Sequence, residues 1–168
     1  MNIRPETNAD FSSIFHVTEQ AFKNHPHSSQ TEQFIVNELR NNNALSLSLV
    51  AESNQKIIGH IAFSEVHISD GATQWYIAGP LSVLPGFQRK GIGSALIKTG
   101  LKILQTQLNA NGCVLVGSPE YYNRFGFFSS PELNAAEVPQ EFVLALSLQQ
   151  GKLPTGYISW NEAFSATE

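Results

Sequence analysis

Cysteine is almost missing from this chain: Cys113 is the single one in 168 residues. One thiol cannot close an internal disulfide, and a zinc site built on several cysteines is excluded. Charge is sparse at 14% of residues and leans acidic, ten Lys and Arg against fourteen Asp and Glu for a formal charge of -4. A general nucleic-acid binder needs a basic face to displace counterions, so no nucleic-acid partner is expected. No apolar run approaches the ~18–20 residues of a membrane-spanning helix. Met1-Asn2-Ile3-Arg4-Pro5-Glu6 carries no apolar signal segment, so no membrane partner is expected and a reducing cytoplasm is the expected address. Repeats, low-complexity tracts and composition breaks are absent as well. With 42% hydrophobic residues the chain can bury one core, and a single domain over 1–168 is expected.

What is present alternates between two periods. Ile3-Arg4-Pro5 reads as a short extended start, and Thr7 with Asp10 as a variant capping box. Phe11, Ile14, Phe15, Thr18, Ala21 and Phe22 then follow helical spacing. Ser29 with Glu32 reads as a second capping box, opening a helix to about Arg40. Leu45, Leu47, Leu49 and Ala51 alternate with serines, and 57–64 is a second apolar strand after Ser53-Asn54-Gln55. Asp70-Gly71 predicts a hairpin returning into 74–83, where Pro80 cannot donate and calls for a bulge or an open edge. A helix is predicted from Ile92 to about Asn109, closed by Gly112 as its terminating glycine. A short buried strand at 113–116, helical turns at 119–125 and strands near 127–128, 142–148 and 157–160 complete an α/β or α+β layered domain with a mixed sheet.

The informative stretch is Leu81-Ser82-Val83-Leu84-Pro85-Gly86-Phe87-Gln88-Arg89-Lys90-Gly91-Ile92-Gly93-Ser94. A strand ends, a glycine-bearing loop follows, and a long helix starts at once. Gly91 and Gly93 allow close backbone approach, and the free N–H groups of a helix start attract anions. Four of the ten basic residues, Arg89, Lys90, Lys98 and Lys102, gather here. That concentration suggests a phosphate-bearing ligand. A P-loop is excluded, because Ile92-Gly93 stand where Lys and Ser/Thr are required. A dinucleotide fingerprint fails too, since Leu96 replaces its third glycine.

Gln88-Arg89-Lys90-Gly91-Ile92-Gly93 resembles the Q/R-x-x-G-x-G/A pyrophosphate loop of the GCN5-related N-acetyltransferases (GNAT), and Tyr122-Asn123-Arg124-Phe125-Gly126-Phe127 resembles their Y-x-x-x-G-F segment. The element order is similar to the family fold over nearly the whole chain, and the run Pro119–Phe127 is similar to a bacterial branch of the family. The resemblance implies a mixed, mostly antiparallel twisted sheet flanked by helices. It implies that Gln88, Arg89, Lys90, Gly91, Ile92, Gly93 and Ser94 bind the pyrophosphate of acetyl-CoA, while Leu81, Ser82 and Val83 hydrogen-bond its pantetheine arm in the manner of an added strand. It also implies that Tyr122 faces the cofactor sulfur as an acid, and that the acceptor is a small-molecule or peptide amine. Two positions depart from the family pattern: Val116-Gly117-Ser118 lacks the pantetheine-holding Asn, and Gln74–Val83 contains no carboxylate to act as base.

An amine of pKa ~10.4 must lose a proton before it attacks a thioester. Glu65 is the nearest candidate base, His67 the next, and relay through water serves equally. His25-Pro26-His27 lacks a third ligand, so no metal is expected. Cys113 has no basic partner beside it and reads as a packed thiol rather than an acetyl carrier. The expected protein is a monomeric or homodimeric acetyl-CoA-dependent N-acetyltransferase. The alternatives are a non-catalytic acyl-CoA-binding module and, more remotely, a structural partner domain.

Overall fold

Asp10 fixes the start of the chain. The computed structural model describes residues 1–168, and in it the Asp10 carboxylate accepts from the Thr7 N–H at 2.7 Å and from Arg4 Nη1 and Nη2 at 2.7 and 3.0 Å. The predicted box therefore forms, closing a 3₁₀ turn over Asn8–Asp10 that runs straight into α1 (Phe11–Phe22). Ile14, Val17 and Thr18 are the buried stripe of α1. The second box does not form. Ser28 Oγ donates to Glu32 at 2.6 Å, so Ser29 loses its partner and α2 (Glu32–Asn41) begins after Thr31. Phe15 of α1 meets Phe34 of α2 edge to face at 5.6 Å.

The chain folds as two compact units: Met1–Ser64 with Gly79–Gly100 and Asn161–Glu168, and Glu65–Ala78 with Leu101–Trp160. In the first, β1 (Asn2–Pro5) pairs antiparallel with β2 (Leu47–Ser53), and β2 with β3 (Lys56–Glu65). The β2–β3 hairpin turns on two residues, Asn54 at φ 50° and Gln55 at φ 61°. Both are left-handed, the geometry whose twist matches the flanking strands. Ile57–Ser64 is buried at every position, so β3 is covered on both faces. A Cβ on Gly59 would stand 3.0 Å from Ile92, 3.1 Å from Leu96 and 3.3 Å from the Ser82 carbonyl. Only a residue without a side chain lets β3 lie this close to the start of the long helix α3 (Ile92–Thr106) and to the end of β5 (Trp75–Val83). Ile35, Leu39 and Ala163 form a satellite core of this unit, the last supplied by a 3₁₀ turn at Glu162–Ser165.

In the second unit β5 runs parallel to β6 (Gly112–Val116), β6 is antiparallel to β9 (Val143–Ser147), and β9 to β7 (Phe128–Ser129). A small sheet adds β4 (His67–Ile68), β10 (Gly156–Ser159) and β8 (Leu133–Ala135), with β10 in the middle, antiparallel to β4 and parallel to β8. One expectation changes here, and two short strands add to what the sequence showed. The turn at Asp70-Gly71 returns the chain as expected, with the Val66 N–H on the Trp75 carbonyl at 2.9 Å; β4 itself pairs with β10, and the Asp70 carboxylate takes the N–H groups of both Ala72 and Thr155 at 2.8 Å. Asn109 at φ 52° ends α3, and the Ala110 N–H returns to the Leu104 carbonyl at 2.9 Å. Gly112 instead gives room to the Trp75 ring, which a Cβ there would overlap. β8 was not foreseen, being three residues without alternation.

The open edge expected at Pro80 has a counterpart in the register: pairing of β5 with β6 covers Trp75–Ile77 only. Gly79 sits at φ 142° beside a cis peptide to Pro80. β5 and α3 each run from one unit into the other. No helix is long and apolar enough to cross a membrane.

Candidate active site

The loop after β5 is held from below by its apolar residues and leaves its polar ones free. Ser82 and Leu84 are buried, and the Leu84 N–H donates to the Ile58 carbonyl at 2.9 Å. Pro85–Phe87 makes one 3₁₀ turn, with the Phe87 N–H on the Leu84 carbonyl at 2.8 Å. Gln88 Nε2 then reaches back to the Val83 carbonyl at 2.9 Å, tying the loop to the strand it left. Arg89 at φ 62° and Gly91 at φ 83° turn the chain twice through the left-handed region before Ile92, which is buried, begins α3. Glycine tolerates that conformation freely and Arg89 does not.

The Ala95 N–H donates to the Gly91 carbonyl at 3.0 Å, the opening bond of the helix. The N–H groups of Gly91, Ile92, Gly93 and Ser94 therefore precede any intrahelical acceptor, and the positive end of the α3 dipole adds to them. Gln88, Arg89, Lys90 and Gly91 are exposed, and the whole run Leu81–Ser94 contains no carboxylate. Such a surface can receive an anion, and backbone donors of this kind suit phosphate oxygens.

The second unit holds the other candidates. Tyr122 closes α4 (Pro119–Tyr122), with its ring against Gly117 and edge-on to Tyr121 at 4.8 Å. Burial, and secondarily Tyr121, push its hydroxyl up to about 12, so it stays protonated through the physiological range. Glu65, at the end of β3, is exposed, and its charge adds to burial in raising the Tyr76 hydroxyl. His67 is exposed on β4. No hydrogen bond joins Glu65 to Tyr122. The structure thus brings Leu81–Val83 and Gln88–Ser94 together in the first unit, and Glu65 and Tyr122 into the second.

Cys113 is fully buried, donates weakly to the Val114 carbonyl at 3.6 Å, and has its thiol pushed far up by burial. His25 and His27 are exposed, their rings 6.1 Å apart, with the His27 N–H on His25 Nδ1 at 3.3 Å. No group of three His, Cys, Asp or Glu side chains converges as metal ligands do. Sequence reasoning missed two residues beside the candidates. Gly117 carried a signal, a glycine directly after a buried strand. Lys56 carried none, because only the fold brings it to Phe87, 5.9 Å from the ring centroid.

The sequence model of the Acetyltransferase (GNAT) family matches residues 10–127, and the chain belongs to that family of N-acetyltransferases. It is 32% identical over 128 residues to the uncharacterized N-acetyltransferase YhbS of Escherichia coli, covering 76% of this chain and 73% of the relative. A GNAT family acetyltransferase from Brucella melitensis, solved in complex with acetyl-CoA, is 42% identical, superimposes with a TM-score of 0.85 and covers 97% of both chains. The crystal structure of YhbS from E. coli in complex with CoA is 27% identical, with a TM-score of 0.87 over 99% of this chain and 93% of that one. The fold is that of the GNAT acetyltransferases.

Proposed function

We propose that this protein transfers the acetyl group of acetyl-CoA directly to a primary amine of a small molecule or peptide, within a ternary complex. The observation that carries the proposal is the carboxylate-free Gln88–Ser94 loop, whose left-handed Arg89 and Gly91 lead straight into α3. The acetyl-CoA bound by the Brucella melitensis relative and the CoA bound by YhbS support it. In this reading the backbone N–H groups of Gly91–Ser94 hold the diphosphate, with Gln88, Arg89 and Lys90 around it. The end of β5, Leu81–Val83, offers backbone donors and acceptors to the pantetheine amides.

The chemistry requires a neutral amine. Glu65, directly or through water, takes a proton from the ammonium group, and the nitrogen lone pair attacks the thioester carbonyl carbon. A backbone N–H near Leu81–Val83 stabilises the oxyanion. As the C–S bond breaks, the electron pair stays on sulfur, the nitrogen releases its second proton to water, and the Tyr122 hydroxyl donates its proton to the sulfur; the phenolate is reprotonated from solvent. A thiol of pKa ~8.5 leaves tolerably at neutral pH, and protonation makes it leave well. One catalytic domain over 1–168 and a cytoplasmic setting belong to the same proposal, the first supported by the passage of β5 and α3 through both units, the second by the unpaired Cys113.

The carboxylate-free β5 favours one other reading, a non-catalytic acyl-CoA-binding module. An acetyl-CoA turnover screen against amines, amino acids, polyamines, aminoglycosides and peptide N-termini separates the two. Free thiol released with an amine and abolished in Tyr122→Phe is the expected result. CoA binding with no turnover on any amine supports the binding module.

A further inference from the structure

Two ammonium groups gather at one aromatic ring beside the anion loop. Nζ of Lys56 lies 5.9 Å, and Nζ of Lys90 5.7 Å, from the Phe87 centroid. Lys56 arrives from the tip of the β2–β3 hairpin, where the two left-handed residues Asn54 and Gln55 set its place, and Lys90 from the loop itself. Neither has a carboxylate partner, because the ion pairs of the chain join Arg4 to Asp10 and Glu52, and Arg40 to Glu6. Arg89, exposed between Phe87 and α3, is unpaired as well. In a chain of net charge -4, unneutralised cations have been collected at one place. Like charges held together repel, and the arrangement becomes favourable when an anion sits among them. Contact with the Phe87 ring favours each ammonium group and limits its wandering before any anion arrives.

The backbone N–H groups at the head of α3 account for one diphosphate, and they need no help from a hairpin far away in sequence. A diphosphate in CoA has two ends. One continues into pantetheine, which the proposed function assigns to Leu81–Val83. The other continues into a ribose bearing a separate phosphate, close to doubly charged near neutral pH. We propose that Lys56, together with Lys90, recognises that ribose 3′-phosphate, so that the protein selects acyl carriers with a 3′-phosphorylated nucleotide over the dephospho form. This rests on the placement of the diphosphate at Gln88–Ser94. Lys56 then becomes a specificity-determining residue contributed by the hairpin, outside every motif of the loop.

The test is calorimetric titration of wild type, Lys56→Gln and Lys90→Gln with CoA and with 3′-dephospho-CoA, at low and high salt. Wild type is expected to prefer CoA by roughly tenfold or more, as for a charge-assisted phosphate contact, and the preference should shrink as salt screens it. Lys56→Gln should weaken CoA binding and leave dephospho-CoA binding where it was, bringing the two ligands close to parity. Its melting temperature should match wild type, since Lys56 is exposed at a turn. Equal binding of both ligands by wild type overturns this inference and leaves the diphosphate reading intact. A preference that survives in both lysine variants also overturns it, because the phosphate then lies elsewhere. Failure of wild type to bind either ligand removes the diphosphate reading itself.

Discussion

Gly117 and Tyr122 are fitted to one another: a Cβ on Gly117 would stand 2.5 Å from Tyr122 Cε2 and 2.9 Å from its Cδ2. The ring lies where a side chain would otherwise be. Gly117→Ala must push the ring aside, at a cost of ~1–3 kcal/mol for overpacking. If Gly117 serves to aim the Tyr122 hydroxyl, kcat falls in Gly117→Ala while KM for acetyl-CoA changes little. The double variant with Tyr122→Phe should then turn over no more slowly than Tyr122→Phe alone. Fully additive losses would mean that Gly117 serves packing only.

Tyr122→Phe itself keeps the ring and removes the acid. Turnover should fall by ~10²–10⁴ with CoA affinity nearly intact, whereas Tyr121→Phe should do much less. With the Tyr122 hydroxyl pushed up to about 12, the alkaline limb of a kcat profile below pH 10 belongs to some other group. Wild-type turnover in Tyr122→Phe would end the acid role.

Gly91 supplies a test of the loop that leaves the side chains alone. At φ 83° with nothing within 4 Å of a hypothetical Cβ, a substitution there meets no clash and is strained only by its backbone. Gly91→Val should therefore fold but rebuild the turn, and the rise in melting temperature that saturating CoA gives wild type should vanish. Arg89→Ala should keep a smaller rise, with affinity reduced by ~1–2 kcal/mol and less sensitive to salt.

The proposed direct transfer requires no acetylated cysteine. Burial pushes the Cys113 thiol up and hides it from solvent, so the native protein should resist iodoacetamide and label only after denaturation. Cys113→Ala should retain turnover, and initial rates should give intersecting rather than parallel double-reciprocal lines. Parallel lines would point to a covalent intermediate.

His60 makes stability depend on pH. It is fully buried, its Nε2 is 2.7 Å from Ser48 Oγ, and Ser48 in turn donates to Glu6, which Arg40 grips through Nε and Nη2 at 3.0 Å each. Burial, and secondarily Arg40, lower His60 to about 3 from a usual 6.5. The unfolded chain thus binds a proton below pH 6.5 that the folded one refuses, and stability is lost as pH falls from there toward 3. The slope approaches about 1.4 kcal/mol per pH unit. Asp10, held down to about 2 mainly by the Arg4 hydrogen bond, adds a loss only below its ordinary 3.8. Denaturant melts of wild type and His60→Gln between pH 7 and 4 should converge as pH falls. A constant gap would contradict the neutral, buried imidazole.

How far the sequence was legible depended on the reach of each interaction. The Thr7–Asp10 box, the stripe of α1, the Asn54-Gln55 turn and the loop into α3 are local, and local pattern revealed them. The second capping box was misread because Ser28 and Ser29 compete for one glutamate, a choice composition does not decide. Gly112 was misread as a helix terminator because its real neighbour, Trp75, is distant in sequence. The pairing of β4 with β10 was not legible for the same reason: Asp70 clamps Thr155, which no window contains. The candidate site divides likewise, with Gln88–Ser94 readable as a motif and the Gln88 tie to Val83, the Lys56 approach and the Gly117 fit visible only in three dimensions.

The middle strand of the small sheet is synthesised after both of its neighbours. β4 and β8 have no mutual pairing to make until β10 lies between them, and Ile35 and Leu39 wait on Ala163 for their cover. During translation both units therefore keep apolar surface uncovered until residues 156–163 have left the ribosome tunnel, which prolongs exposure to chaperones and to aggregation. A nascent chain arrested before residue 156 lacks the closing piece of each. Truncations that remove residues 156–164 take away that closing step.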